Sequence, residues 1–234
     1  MTEDQDRTKE VALNYSKSLP LRILETKEKI VAYQRNFGAK QARGKYLVFF
    51  DADTRIASIF TKKLQKYILT DKGLIFIPYA VPDEKDSQIK ILFNFANFLI
   101  EISQYSTKPF SAGGNIISEK ELFLTIDGFP EDLYLGEDHA YVQKAADWGV
   151  RAKFLRQIKF IFCLRRMRKE GRLKHFYRYL LATAHILFKG KINKKIFSYE
   201  MGGQLYLDKG KKAVPEETLK KYLKQAKDFF DQLF

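Results

Sequence analysis

Cysteine is almost absent: Cys163 stands alone in 234 residues. That excludes an internal disulfide framework and any zinc centre built on a cysteine cluster. Long apolar runs are missing as well. The longest uncharged stretches, residues 91–100 and 179–188, are about ten residues each, against the ~20 that a helix needs to cross a bilayer. No secretory signal pattern, internal repeat or low-complexity tract is visible. Acidic residues run short in one region only. Residues 1–155 carry 22 Lys and Arg against 21 Asp and Glu, whereas residues 156–234 carry 20 against 7. Between 156 and 195 there are 13 basic residues and one acid, Glu170. Solubilising surfaces usually mix both signs, so this block points to an anionic partner: phosphate, lipid headgroup or nucleic acid.

What is present supports a core, with 45% of residues hydrophobic. The chain reads as an α/β domain whose mostly parallel sheet is flanked by helices. Its organising stretch is 46–50, Tyr-Leu-Val-Phe-Phe, an apolar run of the kind found in strands buried on both faces. Further strands are expected at 21–24, 74–80, 116–118 and 152–164, with Pro78 marking a strand end or a sheet edge. Helices are expected at 3–17, 28–42, 58–69, 119–125 and 137–148, and Gly38 is a point where the second could break. Residues 88–105 are apolar nearly all round. Such a helix is buried between layers, packed on a partner or dipped into a membrane. Residues 173–188 form a basic amphipathic pattern that suits either a membrane surface or core packing. A last helix is expected after Pro215. The boundaries suggested are 1–164 for the α/β domain and 165–234 for a basic α-helical C-terminal region.

Three places carry candidate chemistry. Asp51 and Asp53 follow the central strand. Two apart in extended backbone, they would leave on one side, where Mg²⁺ or Mn²⁺ could join them to a substrate phosphate. The plain alternative is an acidic turn with Asp53 capping the next helix. Gly113-Gly114-Asn115 is a loop that backbone or ligand can approach closely. Glu137 and Asp138 open a helix, where acids also serve as caps worth ~0.3–1 kcal/mol; the functional reading is a poised base.

Taken in order, Arg35-Asn36-Phe37-Gly38, Asp51-Ala52-Asp53, Gly113-Gly114-Asn115, Gly128-Phe129-Pro130 and Glu137-Asp138 resemble the family 2 glycosyltransferases of the GT-A fold. The resemblance covers roughly residues 1–170. It implies transfer from a nucleotide diphosphate sugar with inversion. Asp138 would be the base, with Glu137 beside it. Arg35, Asn36, Asp51, Asp53, Gly113, Gly114 and Asn115 would meet the donor, and Asp51 and Asp53 a divalent cation. The basic loop Arg165, Arg166, Arg168 would add contacts to the phosphates. His139 would be a further metal or sugar contact, or structural.

One departure stands out. Such enzymes open with strands that bind the nucleotide base and ribose, whereas this sequence begins at what resembles the tail of the second of them. The domain is therefore expected to be N-terminally incomplete by roughly 60–70 residues, judged against usual domain sizes. An uncovered strand edge would then favour self-association. The charge asymmetry suggests work at the cytoplasmic face of an anionic membrane on a lipid-linked or envelope glycan acceptor. Other readings are a non-catalytic chain binding anionic lipid or nucleic acid through 156–195, without the signatures of specific nucleic-acid recognition, and a haloacid-dehalogenase-type phosphatase with Asp51 as nucleophile. The phosphatase pattern is broken by Arg55 at its key position. An EF-hand fails at Ile56 and Lys62.

Overall fold

The computed structural model describes residues 7–111, 113–165 and 168. The sequence readings for 173–188 and for the helix after Pro215 lie outside the described residues. In β3 (Ile75–Pro82), Ile75 and Ile77 enter one buried cluster and Phe76 another, as the two-residue period of a strand requires. All three side chains are fully buried, so β3 is covered on both faces. It is the middle of five strands in the order β1-β4-β3-β5-β2. The others are β1 (Tyr46–Val48), β2 (Arg55–Ile56), β4 (Ile117–Glu119) and β5 (Lys153–Phe162). On the Ile75–Ile77 face lie α2 (Val31–Gln41), α5 (Lys120–Thr125) and α6 (Glu137–Asp147), through Ala32, Ala39, Phe123, Tyr141 and Val142. On the other face α3 (Phe60–Asp71) packs Phe60 and Leu64 against Phe76 and Leu155.

The sheet is mixed. β4 is antiparallel to β1 and to β3, β5 is parallel to β3, and β2 is antiparallel to β5. β1, β3 and β5 therefore share a direction, but β4 is inserted between the first two, so "mostly parallel" does not describe the ladder. A short buried strand reads the same in either direction; where the preceding connection returns decides the sense.

β1 is shorter than its apolar run and is not buried on both faces. It has one strand neighbour among the described residues, and Val48 is 40% exposed. Residues 21–24 form no strand. The first helix, α1 (Thr8–Leu13), buries nothing, and its apolar stripe at Val11 and Tyr15 is exposed. α2 runs unbroken through Gly38. β3 continues past Pro78, and its pairing with β5 slips between Pro78 and Tyr79, where proline has no N–H to give.

α4 (Ser87–Ser103) forms where the apolar stretch predicted a helix, with only one side covered. One side is anchored by buried Asn97, whose Oδ1 accepts from the Ala80 N–H at 3.0 Å and whose Nδ2 donates to the Ala80 carbonyl at 2.8 Å. The opposite side leaves Ile91, Phe95, Phe98 and Ile102 exposed, with Tyr105 just beyond. The spacing of three and four residues makes these one stripe.

Candidate active site

β1 leads into Phe49, which packs on Phe123 and Phe129 at ring distances of 5.1 and 5.0 Å. That aromatic contact fixes the strand's exit. The chain then turns sharply, with the Thr54 N–H donating to the Asp51 carbonyl at 2.9 Å. Asp51 and Asp53 are therefore set by a turn and not by strand alternation, contrary to the extended-backbone argument. Asp53 is exposed, and the Asp51 side chain is 43% exposed.

Arg35, on α2, reaches this turn from beneath. Its Nη2 donates to Asp51 Oδ1 at 2.6 Å and its Nη1 to Glu137 Oε1 at 2.6 Å. The Arg35 side chain is only 11% exposed and lies 5.5 Å from the centre of the Phe129 ring, a cation–π distance. Burial works against its charge, but Asp51, Glu137 and Asp138 more than offset that, so the guanidinium is held firmly protonated. A Cβ on Gly114 would overlap the guanidinium. The expected close approach at the glycine loop is thus made by this arginine.

Asn36 has a different place from the one expected. Its Nδ2 donates to the Phe129 carbonyl and to Glu131 Oε1, both at 2.8 Å, and its Oδ1 accepts from the Phe129 N–H at 3.0 Å. Buried and engaged at both ends, it holds the Gly128-Phe129 turn. Gly128 has a φ of +51° and a Cβ there would meet the Asn36 oxygen, so glycine is required on two counts.

Asn115 is buried, and its Oδ1 accepts from Thr54 Oγ1 at 3.0 Å. That bond ties the glycine loop to the acidic turn. Its Nδ2 is buried with no partner among the described residues. Gly113 lies in the same loop with φ +76°.

The acid pair opens α6. Asp138 Oδ2 accepts from Ser111 Oγ at 2.6 Å, and the Ser111 N–H donates to His139 Nδ1 at 3.1 Å. These contacts give His139 a structural place beside Asp138. Burial pushes the Asp138 carboxyl up, but His139, the Ser111 hydroxyl and the Arg35 charge outweigh it and hold it below the usual carboxylate range. Burial and the Asp138 charge push Glu137 the other way, above its ordinary value, and the Arg35 ion pair only partly reverses this. Two adjacent carboxylates are thus driven apart, which is how a site keeps one ionised and the other readier to hold a proton.

Of the basic loop, Arg168 has acidic partners on another segment. Arg168 donates to both oxygens of Asp83 at 2.9 and 3.0 Å and to Glu84 at 3.0 Å. In this structure carboxylates occupy the guanidinium that was expected to meet phosphates. Arg165 is exposed, and Arg166 lies outside the described residues. Sequence reasoning missed Ser111, Thr54, Glu131 and Asp83 as partners. Their contacts span 27 to 95 positions of sequence, so no local period could have shown them.

A cation fits this donor set in one way. Among the described residues no group of three His, Cys, Asp or Glu side chains could hold a metal. Asp51 and Asp53 supply two carboxylates, one of them exposed, and leave the remaining positions open. Mg²⁺ and Mn²⁺ accept that arrangement when phosphate and water complete the shell.

Comparison with known proteins agrees with the fold. The glycosyl transferase family 2 model matches residues 3–126, just over half of the chain. A mannosyltransferase from Pyrobaculum calidifontis, solved with GDP-Man and Mn²⁺, aligns with a TM-score of 0.56 at 20% identity, covering 78% of this chain and 53% of that one. TarS of S. aureus aligns at 0.55 and 17% identity, covering 80% and 35%. Its 1–349 form with UDP-GlcNAc aligns at 0.53 and 18%, covering 79% and 55%. The chain thus spans about half the length, or less, of these structures. No curated protein matches it in sequence. On the family match and the mixed sheet with flanking helices of the GT-A neighbours, the chain belongs to glycosyl transferase family 2.

Proposed function

We propose that this domain transfers a sugar, with inversion, from a nucleotide diphosphate sugar to a hydroxyl of a lipid-linked or envelope glycan. The observation that carries the reading is Arg35. One buried guanidinium joins Asp51, on the turn after β1, to Glu137, beside Asp138. On this reading one side chain spans from the donor end to the acceptor end.

Asp138 takes the proton of the acceptor hydroxyl, whose oxygen bonds to the anomeric carbon while the bond from that carbon to the diphosphate breaks. The nucleoside diphosphate leaves with the electron pair. An ionised carboxylate is what such a base must be, and the direction of the Asp138 shift supports it. Arg35 lends its charge to the diphosphate and keeps Glu137 in place. Asp51 and Asp53 would hold the divalent cation, which when bound neutralises charge on the leaving diphosphate. The nucleotide sugars bound by the solved neighbours, GDP-Man and UDP-GlcNAc, support this donor class, and the Mn²⁺ of the first supports the cation.

The membrane placement rests on two features. Residues 156–234 hold 20 basic residues against 7 acidic, and α4 exposes an apolar stripe. No helix of the described residues is long and apolar enough to cross a membrane. The reading is peripheral binding at the cytoplasmic face through these two features, with self-association through the stripe as the competing use. Family membership removes the phosphatase alternative. The decisive experiment compares Asp138→Asn with the parent in a donor-turnover assay. Loss of about 10²–10⁴-fold in kcat with retained nucleotide binding is expected for a general base; unchanged turnover overturns the mechanism.

A further inference from the structure

Two consecutive residues, Phe110 and Ser111, tie the C-terminal end of α4 to the start of α6. On the α4 side the Phe110 main chain is gripped twice. Its N–H donates to Ser103 Oγ at 3.1 Å, and its carbonyl accepts from Gln104 Nε2 at 2.8 Å. On the α6 side, Ser111 Oγ donates to Asp138 Oδ2 at 2.6 Å and the Ser111 N–H lies 3.1 Å from His139 Nδ1. The Phe110 ring meets the His139 ring edge-on at 5.9 Å. We infer that Ser103 and Gln104 are positioning residues for Asp138, acting on it through Phe110 and Ser111. The inference rests on Asp138 being the base and extends that reading to the end of α4.

Both residues are buried, and buried polar groups need partners. Ser103 Oγ gives its hydrogen to the Ile100 carbonyl at 2.7 Å, which leaves its lone pairs for the Phe110 N–H. Gln104 Nε2 finds a second carbonyl acceptor in Ile100 at 2.9 Å. Two carbonyl acceptors at one end of the amide identify that end as the nitrogen. The Gln104 Oε1 is buried with no partner among the described residues. Leucine would fill this volume without an orphaned oxygen, but it could not hold the Phe110 carbonyl. Arg151 braces the same turn, donating to the Gln104 and Ser106 carbonyls. The strap matters at its far end, because the Ser111 hydroxyl has one hydrogen and two acceptors in reach. These are Asp138 Oδ2 at 2.6 Å and the Gly113 carbonyl at 3.1 Å. The main-chain position of Ser111 decides which of them it serves. A strap released from α4 lets the hydroxyl turn to Gly113 and frees the carboxylate to rotate. Misplacing a reacting group by about 1 Å can cost ~10²-fold in rate.

The test compares Gln104→Leu, Ser103→Ala and Ser103→Thr with the parent, all as full chains. Nucleotide release from UDP-N-acetylglucosamine, UDP-glucose and GDP-mannose gives kcat and KM. Gln104→Leu and Ser103→Ala are each expected to lose about 10- to 100-fold in kcat, with the donor KM within about threefold of the parent. Ser103→Thr keeps the hydroxyl and should recover most of the loss. In an Asp138→Asn background, Gln104→Leu should lower the rate no further. Native-state hydrogen exchange followed by NMR supplies a second reading. The Ser111 amide should lose at least tenfold in protection in the two damaging variants, while Ile77 in β3 keeps its own. An unchanged kcat overturns the inference. So does an equal loss in the Asp138→Asn background, or Ser111 protection that falls only in step with that of Ile77. An Asp138→Asn chain as fast as the parent marks failure of the base reading itself. A parent that releases no nucleotide sinks the transferase reading and the inference with it.

Discussion

Arg35 makes two short ion pairs from one mostly buried side chain, and Gly114 leaves the space it occupies. A methyl group at Gly114 would displace a guanidinium that two carboxylates hold. Gly114→Ala is expected to cost only about 1–2 kcal/mol of stability, as overpacking at a site with a movable neighbour. Donor affinity should fall at least tenfold with it, and calorimetric titration with a nucleotide sugar checks this. Arg35→Lys should lower affinity likewise, since an ammonium cannot span both acids. The second prediction concerns Asp138. The Ser111 hydroxyl helps hold its carboxyl low, so Ser111→Ala should raise it. A base must be deprotonated to act, so the acid limb of the kcat/KM profile should move to higher pH. Burial still favours a raised value, which the lost hydrogen bond no longer opposes. An unmoved limb would remove Ser111 from that part.

At the scale of elements, most of the fold could be read from periodicity, and the failures have physical causes. α2, α3, α5, α6 and β3 fall within a few residues of their expected places because each has a face that must be buried. β1 was expected to be longer because Phe49 and Phe50 extend its apolar run. In the structure those rings close the two cores on either side of the sheet instead of extending the ladder. Nor did α4's composition show which side would stay uncovered. Motif order brought out Arg35, Asp51, Glu137 and Asp138, which the structure gathers through Arg35. It did not show that Asn36 bridges to the Phe129 backbone or that Arg168 pairs with Asp83 and Glu84, because a polar residue looks the same in sequence whatever it meets. The Asn36 bridge between α2 and the Phe129 turn gives a third prediction. Asn36→Ala leaves buried Phe129 backbone groups without partners, at an expected cost of about 2–3 kcal/mol. Urea unfolding measures it, and a loss under about 0.5 kcal/mol would show that the turn stands without the bridge.

For the molecule as a whole, the exposed stripe on α4 and the basic excess after residue 155 set its surface character. Phe95→Asp combined with Phe98→Asp should change folding stability by no more than about 0.5 kcal/mol, as surface substitutions do. The pair should reduce flotation with anionic vesicles severalfold, or, if the stripe joins copies of the chain, reduce the sedimenting oligomer. Equal flotation with neutral vesicles would argue against a role for the charge. The border position of β1 matters at the same scale. Its ladder is made with β4 alone among the described residues, and Asp51 follows its last residue by three positions. A strand laid along the open side by main-chain pairing would therefore stiffen the backbone that carries both acids. Occupancy of that border would then be a mechanical input to the site, and the cation affinity proposed for Asp51 and Asp53 an output of it.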